Sequence, residues 1–198
     1  MMTEEKLKLV RRVMGSSQIF CSTVNDMLES ALTAVGDSTL ALSQLELMAL
    51  IARSDSGFKV SDVAEFMGVT NAAASRAIDR LVQRGLVDRT VAPRDRRAVE
   101  LSLTPEGQDL LDRVMQASDR KLMEALGDYP AERLVEASQL LESFAIRLLE
   151  ADNGSERTCL RCGVHFREGC AMRQMLGRSC IFYERMNNGG PEVVAASG

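Results

Sequence analysis

The sequence predicts a mainly helical fold that carries one small β hairpin. Three observations point there. Apolar residues recur at helical spacing, beginning with Leu7, Val10 and Met14 and continuing through Phe20, Val24, Leu28, Ala31 and Val35. Only one stretch, residues 86–103, reads as strand, turn and returning strand. Trp is absent and aromatics make up only 4% of the chain, so the core falls to Leu, Val, Ala, Ile and Met, which suit helices.

The first helix is expected from Glu4 to Val35, bent or broken at Gly15-Ser16-Ser17 and ended by Gly36-Asp37. Ser43 stands three residues before Glu46 at the head of an apolar run. That is the pattern of a capping box, and a helix through Leu47, Met48, Leu50 and Ile51 should follow it. Residues 54–57 are a turn. A short helix from Ser61 to Met67, a turn at Gly68-Val69-Thr70 and a second helix from Asn71 to Arg84 make a helix-turn-helix, closed by Gly85. Residues 86–91 then read as a strand, 92–97 as a turn, and 98–103 as the returning strand. A hairpin placed directly after such a helix pair is a wing. Thr104-Pro105 starts the next helix, with Thr as cap and Pro at the first helical position, and it runs to about Leu126. Pro130 opens a last long helix with Leu134, Leu141, Phe144 and Leu148 on one side.

Composition narrows the function. The chain has 198 residues, 45% hydrophobic and 26% charged, which describes a globular domain with room for an appendage. No apolar run approaches the ~18 residues of a membrane helix. The start, Met1 to Lys6, lacks the basic head and apolar stretch of a secretion signal, so a cytoplasmic, membrane-free protein is expected. Net charge is −4, so only a local concentration of positive charge could favour nucleic acid.

That concentration exists. Between positions 76 and 97 stand seven Arg (76, 80, 84, 89, 94, 96, 97) against three Asp (79, 88, 95). In the second helix of the pair, Ala74, Ala77, Ile78, Leu81 and Val82 form a core face, and Ala72, Ser75, Arg76, Asp79, Arg80 and Gln83 form the opposite one. Small residues at Ala72, Ala73 and Ser75 let this helix approach a groove closely. Arg76 can take phosphates or guanine O6 and N7. Asp79 is expected to hold Arg76 or Arg80 in place. An Arg at the wing tip can enter the minor groove. The expected double-stranded DNA contacts are therefore Asn71, Ala72, Ala73, Ser75, Arg76 and Arg80 on the helix, with Arg94, Arg96 and Arg97 on the wing. The bland alternative is a solvated helix beside an ordinary Arg-rich hairpin. The order helix, turn, helix, hairpin, helix, with Arg at both contact places, decides against it.

The stretch Asp95 to Gly107 fits the pattern D-x-R-x-x-x-L-x-L-T-x-x-G, and Leu42-Ser43-Gln44 and residues 63–70 fit upstream. Over roughly residues 4–151 the chain resembles the MarR (multiple antibiotic resistance regulator) family of winged helix-turn-helix transcription regulators. The resemblance implies a homodimer whose first and last two helices pack on their symmetry mates. It also implies a recognition helix at Asn71–Arg84 in the major groove, a wing in the minor groove, and Asp95 as a brace for an Arg. Family members usually repress, and release DNA on meeting a small ligand or an oxidant. Twofold symmetry by itself requires an inverted-repeat site with half-site centres about one helical turn apart.

The tail departs from that pattern. Cys159 and Cys162 form a C-x2-C pair, and Cys170 and Cys180 follow at wider spacing. Four thiolates can enclose a tetrahedral metal or an iron–sulfur cluster. One tight pair instead of two favours a [4Fe–4S] cluster over structural zinc, with a metal-free thiol switch as the third reading. His165, the only histidine, reads as a bystander, and Cys21 as a buried helix residue without chemistry. An enzyme is not expected: the βαβ context of a thiol oxidoreductase is missing and a single His leaves little for acid–base work. The expected layout is a dimerisation helix (1–37), a winged helix-turn-helix (38–103), two dimerisation helices (104–152), a Cys-rich extension (153–186) and a disordered end (187–198).

Overall fold

Among the described residues, six helices and two strands follow one another in the order α1 (Glu4–Ala34), α2 (Leu42–Ala52), α3 (Val60–Met67), α4 (Asn71–Gln83), β1 (Val87–Ala92), β2 (Asp95–Leu103), α5 (Pro105–Leu126) and α6 (Ala131–Ala151). The computed structural model describes residues 3–37, 39–53, 59–92, 95–151, 170 and 173–174, with side chains throughout except at positions 65, 66, 91, 92 and 95–99.

Most predicted elements form, with four differences. α1 runs without interruption through Gly15, Ser16 and Ser17. Helix interiors tolerate an isolated Gly at a cost of about 1 kcal/mol, which neighbouring turns absorb. α2 begins earlier than its polar pattern suggests. Ala41 is its N-cap and Ser43 already lies inside the helix; the reciprocal bond is made by Gln44, whose Oε1 accepts from the Ala41 N–H at 3.0 Å. The wing turn is shorter than expected, because Asp95, Arg96 and Arg97 belong to β2. Cys21, expected in the core, is exposed, because the N-terminal part of α1 projects beyond the core.

α2 is the centre of the core. Leu45, Leu47, Met48, Ala49, Leu50 and Ile51 are all buried, so this helix is enclosed on every side rather than amphipathic. Around it pack Leu28, Ala31 and Leu32 of α1, Val63 and Ala64 of α3, Ala74, Ala77, Ile78 and Leu81 of α4, Val87 and Leu101 of the hairpin, and Leu110, Leu111, Val114 and Ala117 of α5. Burial of such Leu and Ile side chains contributes about 1.5–3 kcal/mol each.

The ends of the long helices hang outside this core. By the ~1.5 Å rise per residue, 31-residue α1 is about 46 Å long, yet its buried residues are Leu28, Ala31 and Leu32 near its C-terminus. The same face continues outward as exposed Val10, Val13 and Met14, flanked by exposed Leu9 and Phe20. In α6 the buried residue is Ile146, while Leu134, Leu141, Phe144 and Leu148 stand exposed at heptad spacing.

The chain turns sharply where α4 meets the hairpin. Gly85 has φ +69°, and its N–H donates to the Val82 carbonyl while the Leu86 N–H donates to that of Leu81. This is a Schellman end, and it suits a residue without a Cβ. The returning strand arrives at the same point. The Thr104 N–H donates to the Leu86 carbonyl at 3.2 Å, its Oγ1–H donates to the Gly85 carbonyl at 2.6 Å, and Oγ1 accepts from the Gly107 N–H at 2.9 Å. Gly107 sits so close that a Cβ there would lie 2.0 Å from the Leu86 carbonyl oxygen. The L-T-x-x-G run of the sequence is therefore a packing requirement at one seam.

A second tie lies where α1 ends. Asp37 Oδ1 accepts from the Thr39 N–H, the Thr39 hydroxyl and the Leu40 N–H at 3.2, 2.9 and 3.1 Å, and Oδ2 pairs with Arg84. Burial pushes the Asp37 carboxyl up, but the Thr39 hydrogen bonds and the Arg84 charge outweigh it and hold the pKa below the ordinary value of 3.8.

Three variants have expected outcomes in denaturant unfolding. Gly107→Ala should destabilise by about 2 kcal/mol or more, because the seam must open to admit the methyl group. Gly85→Ala should lose only about 1–2 kcal/mol of backbone strain, since nothing lies within 4 Å of a Cβ there. Asp37→Asn should cost about 1–2 kcal/mol at pH 6. A depressed carboxylate stabilises the fold above its unfolded pKa and loses that contribution as pH falls through the folded pKa, so the gap between variant and wild type should close below about pH 3.8.

Candidate nucleic-acid interface

α4 is capped by Thr70, whose hydroxyl oxygen accepts from the Ala73 N–H at 3.3 Å. Ala74, Ala77, Ile78 and Leu81 fix its inner face in the core. The opposite face carries Ala72, Arg76, Asp79 and Gln83 at i, i+4, i+7 and i+11, with Ser75 and Arg80 beside them. Asn71, Ala72, Arg76, Arg80 and Gln83 are exposed; Ala73, Ser75 and Asp79 are half-buried. Six predicted helix contacts thus lie on or beside one outward surface, with Ala73 at its margin.

Asp79 does not hold Arg76 or Arg80. Its Oδ1 pairs with Arg89 Nη2 at 2.8 Å, and the same guanidinium reaches the Ser75 carbonyl at 3.4 Å. Arg89 stands in β1, so the pair ties the base of the wing to the outward face of α4. Reading along one helix favours i+3 and i+4 partners and misses an Arg that the Gly85 turn folds back. The signal was a carboxylate on a basic face, with a strand returning past it.

The hairpin is antiparallel, with Val87 opposite Leu103 and Arg89 opposite Leu101. Val87 and Leu101 are buried, which anchors its base. Pairing jumps from Val91 opposite Val99 to Ala92 opposite Asp95, so β2 carries extra residues toward the tip. The backbone of Asp95, Arg96 and Arg97 lies in that irregular part of β2. Their side chains, and Arg94 altogether, lie outside the described residues, as does any brace made by Asp95.

Of the four tail cysteines, Cys159, Cys162 and Cys180 lie outside the described residues, as does His165. Cys170 is a half-buried free thiol whose carbonyl accepts from the Gln174 N–H at 3.1 Å. Among the described residues no cluster of His, Cys, Asp and Glu is placed to hold a metal ion. Among them, too, no helix is long and apolar enough to cross a membrane.

Residues 40–99, from the head of α2 to the wing, match the family model described as "MarR family". This segment is thus similar to the winged-helix region that the family model describes. The chain is 32% identical over 103 residues to the HTH-type transcriptional repressor MdtR of Bacillus subtilis, a match covering 52% of this chain and 66% of that protein. It thus spans just under two thirds of MdtR, and 56% and 54% of two further curated B. subtilis regulators that it matches. Among solved structures, CouR of Rhodococcus jostii RHA1, bound to p-coumaroyl-CoA, is 27% identical with TM-score 0.51, covering 69% of this chain and 89% of that one. FabT of Streptococcus pneumoniae, in complex with DNA, is 16% identical with TM-score 0.63 over 72% and 99% of the two chains, a likeness of fold.

Arg89→Met is expected to cost under about 1 kcal/mol of stability, as half-exposed ion pairs do. Its larger effect should fall on binding to double-stranded DNA, measured by fluorescence anisotropy, because the wing loses its tie to α4.

Proposed function

We propose that the chain is a sequence-specific DNA-binding transcription regulator, acting as a repressor and as a homodimer on an inverted repeat. The observation that carries this is α4: a core-anchored helix with Arg76, Ala72 and Ser75 outward, tied by Arg89 to an Arg-bearing hairpin that follows it at once. Short side chains at positions 72 and 75 admit the helix axis close to base edges, and Arg76 supplies the bidentate donor. Arg80 and the wing arginines 94, 96 and 97 supply phosphate and minor-groove contacts. The outward apolar faces of α1 and α6 support the dimer, since a second copy offers each the cover that the described residues of its own chain do not give. MdtR is named a repressor, and FabT was solved with DNA, which agree with this reading.

The tail adds a sensor. Cys159, Cys162, Cys170 and Cys180 are an all-thiolate donor set of the kind that holds a [4Fe–4S] cluster, whose electron-transfer chemistry would make the tail redox-sensitive. The tail follows α6 directly, so a change in its packing acts on a helix of the dimer face. A second reading rests on CouR, whose structure holds p-coumaroyl-CoA: this chain would answer to a small organic ligand, and zinc would staple the tail.

Selection from a randomised duplex library should yield an inverted repeat with half-site centres about 10–10.5 bp apart. Arg76→Ala should then weaken binding by about 1–3 kcal/mol and relax preference at one base position. A monomer indifferent to duplex DNA at low ionic strength overturns the proposal. For the tail, anaerobically purified protein should be coloured, contain iron, and lose operator affinity on exposure to oxygen. A colourless protein with one zinc per chain would leave the small-ligand reading standing.

A further inference from the structure

Asp37 and Arg84 occupy corresponding places on two helices that serve different purposes. Asp37 closes α1: its N–H donates to the Leu32 carbonyl at 3.1 Å, the last bond of that helix end. Arg84 is the C-cap of α4, its N–H donating to the Arg80 carbonyl at 3.2 Å. The two side chains, 47 residues apart in sequence, pair with only 14% and 29% of their surface exposed. Three further donors, from Thr39 and Leu40, fix the Asp37 carboxylate, so it cannot follow Arg84 if α4 shifts. On the other side of the same corner, Arg113 of α5 donates to the Val35 carbonyl at 3.3 Å. The end of α1 is thus clamped between α5 and α4.

We propose that Asp37 and Arg84 are positioning residues: their ion pair sets how α4 lies on α1, and so the spacing between half-sites that the homodimer accepts. This rests on the DNA-binding reading above. The physical reason is geometric. A displacement of α4 on α1 is repeated by the twofold axis, so the two reading helices separate by up to twice that amount. Base pairs step by about 3.4 Å, so a shift of about 1.7 Å in each subunit is enough to favour a spacer one base pair different. A fixed α4 enforces one spacing, because any other duplex must be twisted or bent to fit. Arg84 contributes here through its partner, and its charge is spent on Asp37 instead of on phosphate.

The test uses the full-length protein and the inverted repeat that wild type selects, with versions one base pair longer and shorter, and a single half-site duplex. Asp37→Asn keeps an oxygen for Thr39 and Leu40 while removing the charge facing Arg84. Arg84→Met keeps the stem and loses the charge, and Arg84→Lys restores it. Asp37→Asn and Arg84→Met should stay dimeric and bind the half-site like wild type. Their preference for the selected spacing over its neighbours should fall by about fivefold or more, and Arg84→Lys should recover most of it. The salt dependence should be unchanged, since no phosphate contact is lost. Unaltered spacing preference, or a uniform loss across all duplexes that tracks melting temperature, overturns the positioning role and leaves the DNA-binding reading intact. Failure of wild type to select any duplex defeats both.

Discussion

The backbone of Leu86 is where the recognition element, the wing and the rest of the molecule are joined. Its N–H ends α4, its carbonyl receives Thr104, and the same carbonyl faces Gly107 at a distance that leaves no room for a methyl group. Three elements therefore meet with their backbones in contact. Side-chain packing can relax by rotamer changes, but a seam of backbone atoms has little freedom to do so. A shift in α5 must move the base of the wing and the end of α4 with it. If α4 reads DNA and the hairpin touches it again, as proposed, that stiffness holds the two contact surfaces in register without help from the ligand.

The helices beyond the seam follow another logic. The core closes around α2 and stops, while α1 and α6 continue past it with their apolar faces uncovered. An isolated chain leaves Leu134, Leu141, Phe144 and Leu148 of α6 exposed, and likewise Leu9, Val13 and Phe20 of α1. Removing such surface from water is favourable by about 25 cal/mol per Å², so the monomer has a strong incentive to pair. The winged helix is packed within one chain, whereas in the proposed dimer the terminal helices would take their cover from a neighbour. On that proposal, a change in the pairing of α1 and α6 would change the separation of the two α4 helices without unfolding either.

Much of this was legible in the sequence, for reasons that differ by element. Helices α4 and α5 were read to within a residue or two because caps and apolar faces are local signals: Thr70, Gly85, Thr104 and Pro105 mark their ends. The head of α2 was misread because Ser43 and Glu46 imitate a capping box, while the bond that forms uses Gln44 and an N-cap of Ala41, a residue with no capping side chain. Helical periodicity shows a face and not what covers it, so the exposure of Cys21 cannot be read from spacing. The partner of Asp79 was beyond reach for the same reason as the Asp37–Arg84 pair. Both are contacts between elements, and nothing in residue spacing along a helix encodes where a strand or a distant helix end will return.

Those two ion pairs also change how the charge of the region is understood. Counted along the sequence, seven Arg stand between positions 76 and 97, which suggests a broad basic surface. Arg84 and Arg89 are committed, one to Asp37 and one to Asp79. On the described part of the face this leaves Arg76 and Arg80, exposed on neighbouring turns of one helix. A net charge of −4 and a narrow cationic strip leave little for non-specific attraction to a duplex, so on the proposed reading affinity must come mainly from specific contacts such as that of Arg76. Asp37 and Asp79 thus turn two of the guanidinium groups into ties between elements, one from α4 to the end of α1 and one from the wing to α4.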